Sequence, residues 1–141
     1  MNPAAAEHVP SVAGGDPGTA VRREVLGDEH VDRALARTTE FTRPFQEYIT
    51  SAAWGAIWTR DGLDRRTRSA ITLALLTALG CEDELAMHTR AALRNGLTVA
   101  EIGEVLLHTA AYSGIPKANT AFAVADRVLA QLSEDDPAKT T

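Results

Sequence analysis

Apolar residues recur at intervals of three and four along most of the chain, and no segment alternates apolar and polar positions as a half-buried strand would. Glycines fall where that periodicity stops, so the pattern predicts helices throughout. "VRREVLG" and "DEHVDRALART" form two short helices broken at Gly27, with Asp28 as N-cap of the second. "TRPFQEYITSAAWGAIWTR" opens with Thr42 as cap and Pro44 in the first turn, then sets Phe45, Tyr48, Ile49 and Ala52 at helical spacing. Trp54 and Trp58 follow, around Gly55.

The remaining helices are clearly punctuated. Asp64 caps "RRTRSAITLALLTAL", which ends at Gly80, and "CEDELAMHTRAALRN" ends at Gly96. Thr98 and Glu101 form a capping box for "VAEIGEVLLHTAAYS", which stops near Gly114, and Pro116 opens "KANTAFAVADRVLAQL". Residues 1–19 are rich in Pro, Gly and Ala without periodicity and read as a mobile arm. That leaves one all-α domain over residues 20–133 and an acidic tail over 134–141.

"ITLALLTAL" is apolar nearly all round, which predicts a central helix covered on several sides. The many alanines permit close helix approach but bury little area each. A helical unit of this kind gains from burial between subunits, and a homo-oligomer is expected.

Composition narrows the function. At 141 residues the chain has room for one domain, and 45% hydrophobic with 23% charged residues is ordinary for a soluble globular protein. A net charge of -5, with arginines scattered among acids, argues against a nucleic-acid partner. A single cysteine excludes an intramolecular disulfide, a CxxC redox centre and a cysteine-rich zinc site. No apolar run approaches the roughly 18 residues of a membrane span, and the N-terminal residues lack a signal peptide's regions. The expectation is a cytoplasmic protein with no membrane partner.

Candidate chemistry concentrates on "CEDELAMHTRAALRN". At about 100° per residue from Cys81, Leu85, His88, Ala92 and Asn95 fall within about 40° and Glu84 at about 60°. Glu84 and His88 are therefore at the apolar stripe or its margin, four residues apart and in side-chain contact range. A carboxylate beside an imidazole shifts both pKa values and fixes the ring tautomer, which suits proton transfer. The same spacing also suits a satisfied pair at a helix or subunit interface. Cys81 alone fits a small buried hydrophobe better than a nucleophile.

Other polar residues carry weaker signals. Arg65, Arg66 and Arg68 cluster at a helix N-terminus, where positive charge is mildly unfavourable and invites an anion. A substrate carboxylate would serve, as would Asp61 and Asp64. Trp54 and Trp58 fit core anchors or a pocket wall, and His108, near Glu104 and Tyr112, fits a solvated rim or a pocket edge. No metal site is expected: His88 and Glu84 supply two ligands, and no HExxH occurs.

The segments "GLDRRTRS", ELxxH with the stop "NGLT", and "EIGEVLLHTAAYSGIP", with "RREVLGDEHVDRA" upstream, together resemble the 4-carboxymuconolactone decarboxylase family. The resemblance spans nearly everything except the arm and the tail. It implies an alkylhydroperoxidase D-like all-helical fold in a cyclic homo-oligomer, a trimer or hexamer. It also implies cofactor-free decarboxylation of 4-carboxymuconolactone, a lactone dicarboxylic acid, to 3-oxoadipate enol-lactone in protocatechuate catabolism. Peroxide-reducing relatives carry CxxCxxxH; here Cys81, Glu84 and His88 occupy those positions, so a Glu–His relay stands where the redox pair would be. On this reading His88 protonates the substrate, Glu84 orients His88, and Arg68 binds a carboxylate, with Arg65 as second candidate. Trp54, His108 and Tyr112 line the pocket, and Cys81 has no chemical role. The other classes compatible with the residues are a decarboxylase or isomerase of another lactone acid, a weak peroxidase on the same scaffold, and a non-catalytic oligomeric protein.

Overall fold

The computed structural model describes residues 16–136. Among them every regular element is helical: α1 (Pro17–Leu26), α2 (Asp28–Ala36), α3 (Arg43–Ile49), a π-helix (Thr50–Trp58), α4 (Arg65–Leu79), α5 (Glu82–Arg94), α6 (Val99–Ser113) and α7 (Ile115–Asp135). No helix among the described residues is long and apolar enough to cross a membrane.

Local chemistry sets most of the boundaries. The Asp64 carboxylate accepts from the Thr67 N–H at 2.7 Å, and Gly80 closes α4 in the left-handed region at φ 72°. Thr98 and Glu101 exchange bonds of 3.1 and 2.8 Å in a reciprocal capping box.

Four expectations need correction. α1 begins inside the segment assigned to the arm, because Asp16 accepts from the Gly18 N–H at 3.0 Å and Pro17 supplies a preset first turn. Residues 1–15 lie outside the described part of the chain. The N-cap of α2 is Gly27, at φ 90°; Asp28 is already helical, and its carboxylate pairs with Arg23 at 3.2 Å. Thr42 gives α3 no side-chain cap, since its hydroxyl accepts from the Thr39 N–H at 2.9 Å. α7 runs through Asp135, so Glu134 and Asp135 are helical rather than tail; residues 137–141 are not described.

Two cores share α5. In one, Leu85 and Ala92 pack with Leu73 of α4, Ile102 and Leu106 of α6, and Val124 of α7. In the other, Ala91 packs with Val25 and Leu26 of α1, Val31 of α2 and Trp54 of the π-helix. Each fully buried leucine or isoleucine contributes about 1.5–3 kcal/mol, so both faces of α5 are held firmly. α4 is covered on several sides, by α5, α6 and α7, while Ile71, Leu75 and Leu79 stay 45%, 55% and 71% exposed. These residues are four apart and form one stripe, so the fourth side of α4 is left uncovered by its own chain.

The π-helix was expected as ordinary α-helix. It crosses α1 at near backbone contact: a Cβ added at Gly18 would stand 2.5 Å from the Thr50 carbonyl oxygen and 2.9 Å from the Gly55 nitrogen. Only glycine at position 18 allows that approach. π-geometry is often found at functional sites, and here it carries Thr50, Trp54 and Trp58.

Candidate active site

α5 has an acidic first turn of Glu82, Asp83 and Glu84, which suits the positive end of its dipole. One turn further on, His88 points into the core shared with α1 and the π-helix and is only 8% exposed. Its ring lies nearly parallel to Trp54 (centroids 6.3 Å apart, 12°) and Trp58 (6.4 Å, 21°), and the two indoles are 5.2 Å apart. Nδ1 is buried and has no hydrogen-bond partner. Burial first, and the neighbouring His30 second, lower the His88 pKa from 6.5 to about 4. The side chain is therefore a neutral imidazole in an aromatic surround, with one ring nitrogen unengaged by the protein.

The hydrogen-bonded Glu84–His88 relay is not formed in this structure. Glu84 is exposed, and no bond joins it to His88, whose Nδ1 stays unpartnered. Glu84 was expected at the apolar stripe or its margin; the first turn of α5 holds its carboxylate in solvent.

The arginine cluster separates. Arg65 pairs with Glu24 of α1 at 2.6 Å in a partly exposed ion pair. Arg66 binds the Gly96 carbonyl and, at 2.6 Å, Glu101. Arg68 donates to the Arg60 carbonyl at 3.1 Å, and its Nε is buried without an acceptor. Among the described residues neither Asp61 nor Asp64 forms a salt bridge with these arginines, although the Arg66 charge helps to lower the Asp64 pKa.

His108 and Tyr112 stack on each other at 5.1 Å and are exposed on α6, which packs against α4, α5 and α7. Trp54 belongs instead to the side built by α1 and α3. Within the chain, then, the structure brings Trp54 to His88 and does not bring His108 or Tyr112 there. Cys81 is free, half-buried, and sits at the N-cap of α5. Among the described residues no three His, Cys, Asp or Glu side chains gather as a metal site would need.

Trp58, which the sequence offered with Trp54 as a core anchor or pocket wall, completes the ring cluster. Two residues at this end of the molecule went unnoticed in the sequence. His30 of α2 is close enough to Arg22 and His88 for charge coupling, and burial and surrounding arginines lower its pKa. Arg22 of α1 is 5% exposed and lines a cavity of about 480 Å³ with Thr38, Arg43, Gln46 and Thr50. Its signal was present: Gly18, Arg22, Val25 and Leu26 make one buried stripe, with a guanidinium where an apolar residue is usual.

The carboxymuconolactone decarboxylase family model matches residues 43–127, from α3 well into α7. The chain belongs to the carboxymuconolactone decarboxylase family. It is 48% identical over 115 residues to a 4-carboxymuconolactone decarboxylase of Acinetobacter baylyi, covering 82% of this chain and 86% of that protein. It is 47% identical over 114 residues to a nitrosuccinic acid decarboxylase of Metarhizium robertsii, covering 81% of this chain and 80% of that one. The stretch matched by the carboxymuconolactone decarboxylase model contains Trp54, Trp58, Arg68 and His88, whereas Arg22 and His30 precede it.

The buried imidazole of this carboxymuconolactone decarboxylase family member has a consequence for stability. Above pH 6.5 folded and unfolded chains both hold His88 neutral, and its contribution is complete. Between 6.5 and 4 the unfolded chain takes up the proton first, and stability falls; below 4 both states are protonated and the loss stops. The total is on the order of 3 kcal/mol, and the lowered pKa of His30 acts in the same direction. Urea unfolding of wild type and His88→Gln across this window is expected to show a smaller acid loss in the variant. Equal losses would mean that His88 is not the group being titrated.

Proposed function

We propose that the chain decarboxylates 4-carboxymuconolactone to 3-oxoadipate enol-lactone and CO₂. The observation that carries this is the 48% identity to a protein of that name across most of both chains. The site's chemistry agrees with it. The substrate's ring carbon bonded to the lactone oxygen carries the departing carboxylate and is conjugated through a C=C to the lactone carbonyl. As the C–C bond breaks, its electron pair moves through the double bond onto the carbonyl oxygen, giving a dienolate. A proton then adds at the α-carbon. The ring itself is the electron sink, so the reading needs no cofactor.

The protein must bind a dianion, favour loss of CO₂ and deliver one proton. In this proposal His88 delivers the proton alone, because Glu84 is not bonded to it. Burial holds the imidazole neutral in the free chain; the bound dianion would raise its proton affinity, so that it takes up a proton from solvent as imidazolium and returns to the neutral ring on giving that proton to the α-carbon. The indoles of Trp54 and Trp58 supply an apolar wall, where a carboxylate is poorly solvated and CO₂ is welcome. Arg68 is retained as a carboxylate binder from α4, since no carboxylate pairs with it.

A second substrate has support of its own in the 47% identity to a nitrosuccinic acid decarboxylase. Nitrosuccinic acid is also a dicarboxylic acid with an electron sink: loss of the carboxylate beside the nitro group gives a nitronate, which is protonated on carbon. The reading further includes a cytoplasmic homo-oligomer, trimer or hexamer, and the uncovered stripe of Ile71, Leu75 and Leu79 supports assembly. The direct test incubates purified protein with each acid and follows CO₂ release and the ring product. Turnover of the lactone is expected. Release from nitrosuccinic acid alone would transfer the function to the second substrate, and none from either would leave a non-catalytic role.

A further inference from the structure

We infer that Arg22 and the cavity it lines hold a carboxylate of the ligand, and that this arginine, rather than only those of α4, fixes a dicarboxylic acid in the site. A buried guanidinium is costly unless an anion balances it. Arg22 is 5% exposed, yet its donors meet neutral oxygens, Thr50 Oγ1 at 3.2 Å and Gln46 Oε1 at 3.1 Å. Its Nε–H is buried with no acceptor, and among the described residues no carboxylate forms an ion pair with it. Glu47 lines the same cavity but stays exposed and unpaired with Arg22. Among the described residues Arg43 forms no ion pair, and it brings a second cation to the cavity wall. Two cations, one exposed acid that pairs with neither of them, and about 480 Å³ of space describe a receptor for a small organic anion.

The position is fixed and is joined to the reacting end by one helix, although the cavity's lining stops short of Trp54, Trp58 and His88. Gly18, one turn before Arg22, lets α1 touch the π-helix backbone at Thr50, so the guanidinium is held in register with that helix. Thr50 is four residues before Trp54 on the same π-helix, and Trp54 faces His88. A dicarboxylic acid with its retained carboxylate on Arg22 would therefore extend toward the rings and the imidazole. The identity of the ligand rests on the decarboxylase reading; the need for an anion rests on Arg22 alone.

The test uses the full chain and succinate, a dicarboxylate with no electron sink, against the uncharged succinamide. Calorimetry is expected to show saturable binding of succinate and none of succinamide. Arg22→Lys, checked for fold by circular dichroism, should bind succinate about 10- to 100-fold more weakly, the worth of a charge-assisted bidentate contact. In turnover the same variant should raise KM more than it lowers kcat. Unchanged succinate affinity in a folded Arg22→Lys chain would overturn the inference, as would failure of the wild type to bind succinate. Should the variant not fold, the arginine Nε–H spectrum of the wild type decides: the Arg22 signal must shift with succinate and not with succinamide. Binding through Arg22 without decarboxylation would leave this inference standing and remove the reaction. Decarboxylation with unaltered KM in Arg22→Lys would do the reverse.

Discussion

His88→Ala is expected to lower kcat by about 10²- to 10⁴-fold, the usual worth of a positioned acid or base. The imidazole is the ionisable side chain stacked on both tryptophans, and its Nδ1 is unengaged, which makes it the group placed to carry the proton. α5 should persist, because Leu85 and Ala92 anchor its opposite face in the core formed with α4, α6 and α7. Circular dichroism and light scattering should therefore match the wild type while turnover collapses. Glu84→Gln provides the contrast. Its carboxylate is exposed and not bonded to His88, so the loss should stay below about ten-fold, the signature of a group outside the proton path. A Glu84→Gln loss as deep as that of His88→Ala, with a double variant no worse than either, would show that the two act as a unit and restore the relay. A fully active His88→Ala would remove the mechanism.

What the sequence made legible follows from how local each cause is. Asp64 and the Thr98–Glu101 box act within one turn, and the glycine at the end of α4 adopts the left-handed conformation it alone tolerates well. All were readable as strings. The inward turn of His88 was readable too, since a stripe is a local periodicity. Pairings between distant segments were not: Arg65 meets Glu24, and nothing in "GLDRRTRS" identifies a carboxylate on α1 as its partner. The π-helix has the same difficulty. Its apolar spacing passes for an α-helix over nine residues, and the register is visible only once Gly18 of α1 is seen against Gly55 and Thr50. α4 read as a central helix covered on several sides, and it is; apolar content does not say which side its own chain leaves open. Arg22 was a missed signal rather than a hidden one: a charged residue at a stripe position, four after one glycine and three before a valine, asks what balances it.

Trp54→Ala is expected to reduce stability by about 3–5 kcal/mol, the range for removing a buried large aromatic, and to lower Tm by roughly 10–20 °C. Trp54 is 6% exposed and sits among Val25, Leu26, Val31 and Ala91, so it joins α1, α2 and α5 to the π-helix in one cluster. Little can collapse into the space, because α1 and the π-helix already touch through backbone at Gly18 and cannot approach further. Trp54→Phe should recover much of the loss, since a ring still fills the centre and still faces His88. Trp58→Ala should cost less, because that indole is only half-buried and packs at the cluster's edge. The readout is urea and thermal unfolding of the three variants beside the wild type, followed by circular dichroism. A Trp54→Ala loss under about 1 kcal/mol would mean that the second core does not hold α1 against the π-helix. The spacing of Arg22, Thr50 and His88 would then have no rigid support. A loss in the expected range, with the His88 pKa rising from about 4 toward 6.5 in Trp54→Ala but not in Trp54→Phe, would tie the ring stack to the site's electrostatics as well as to its stability.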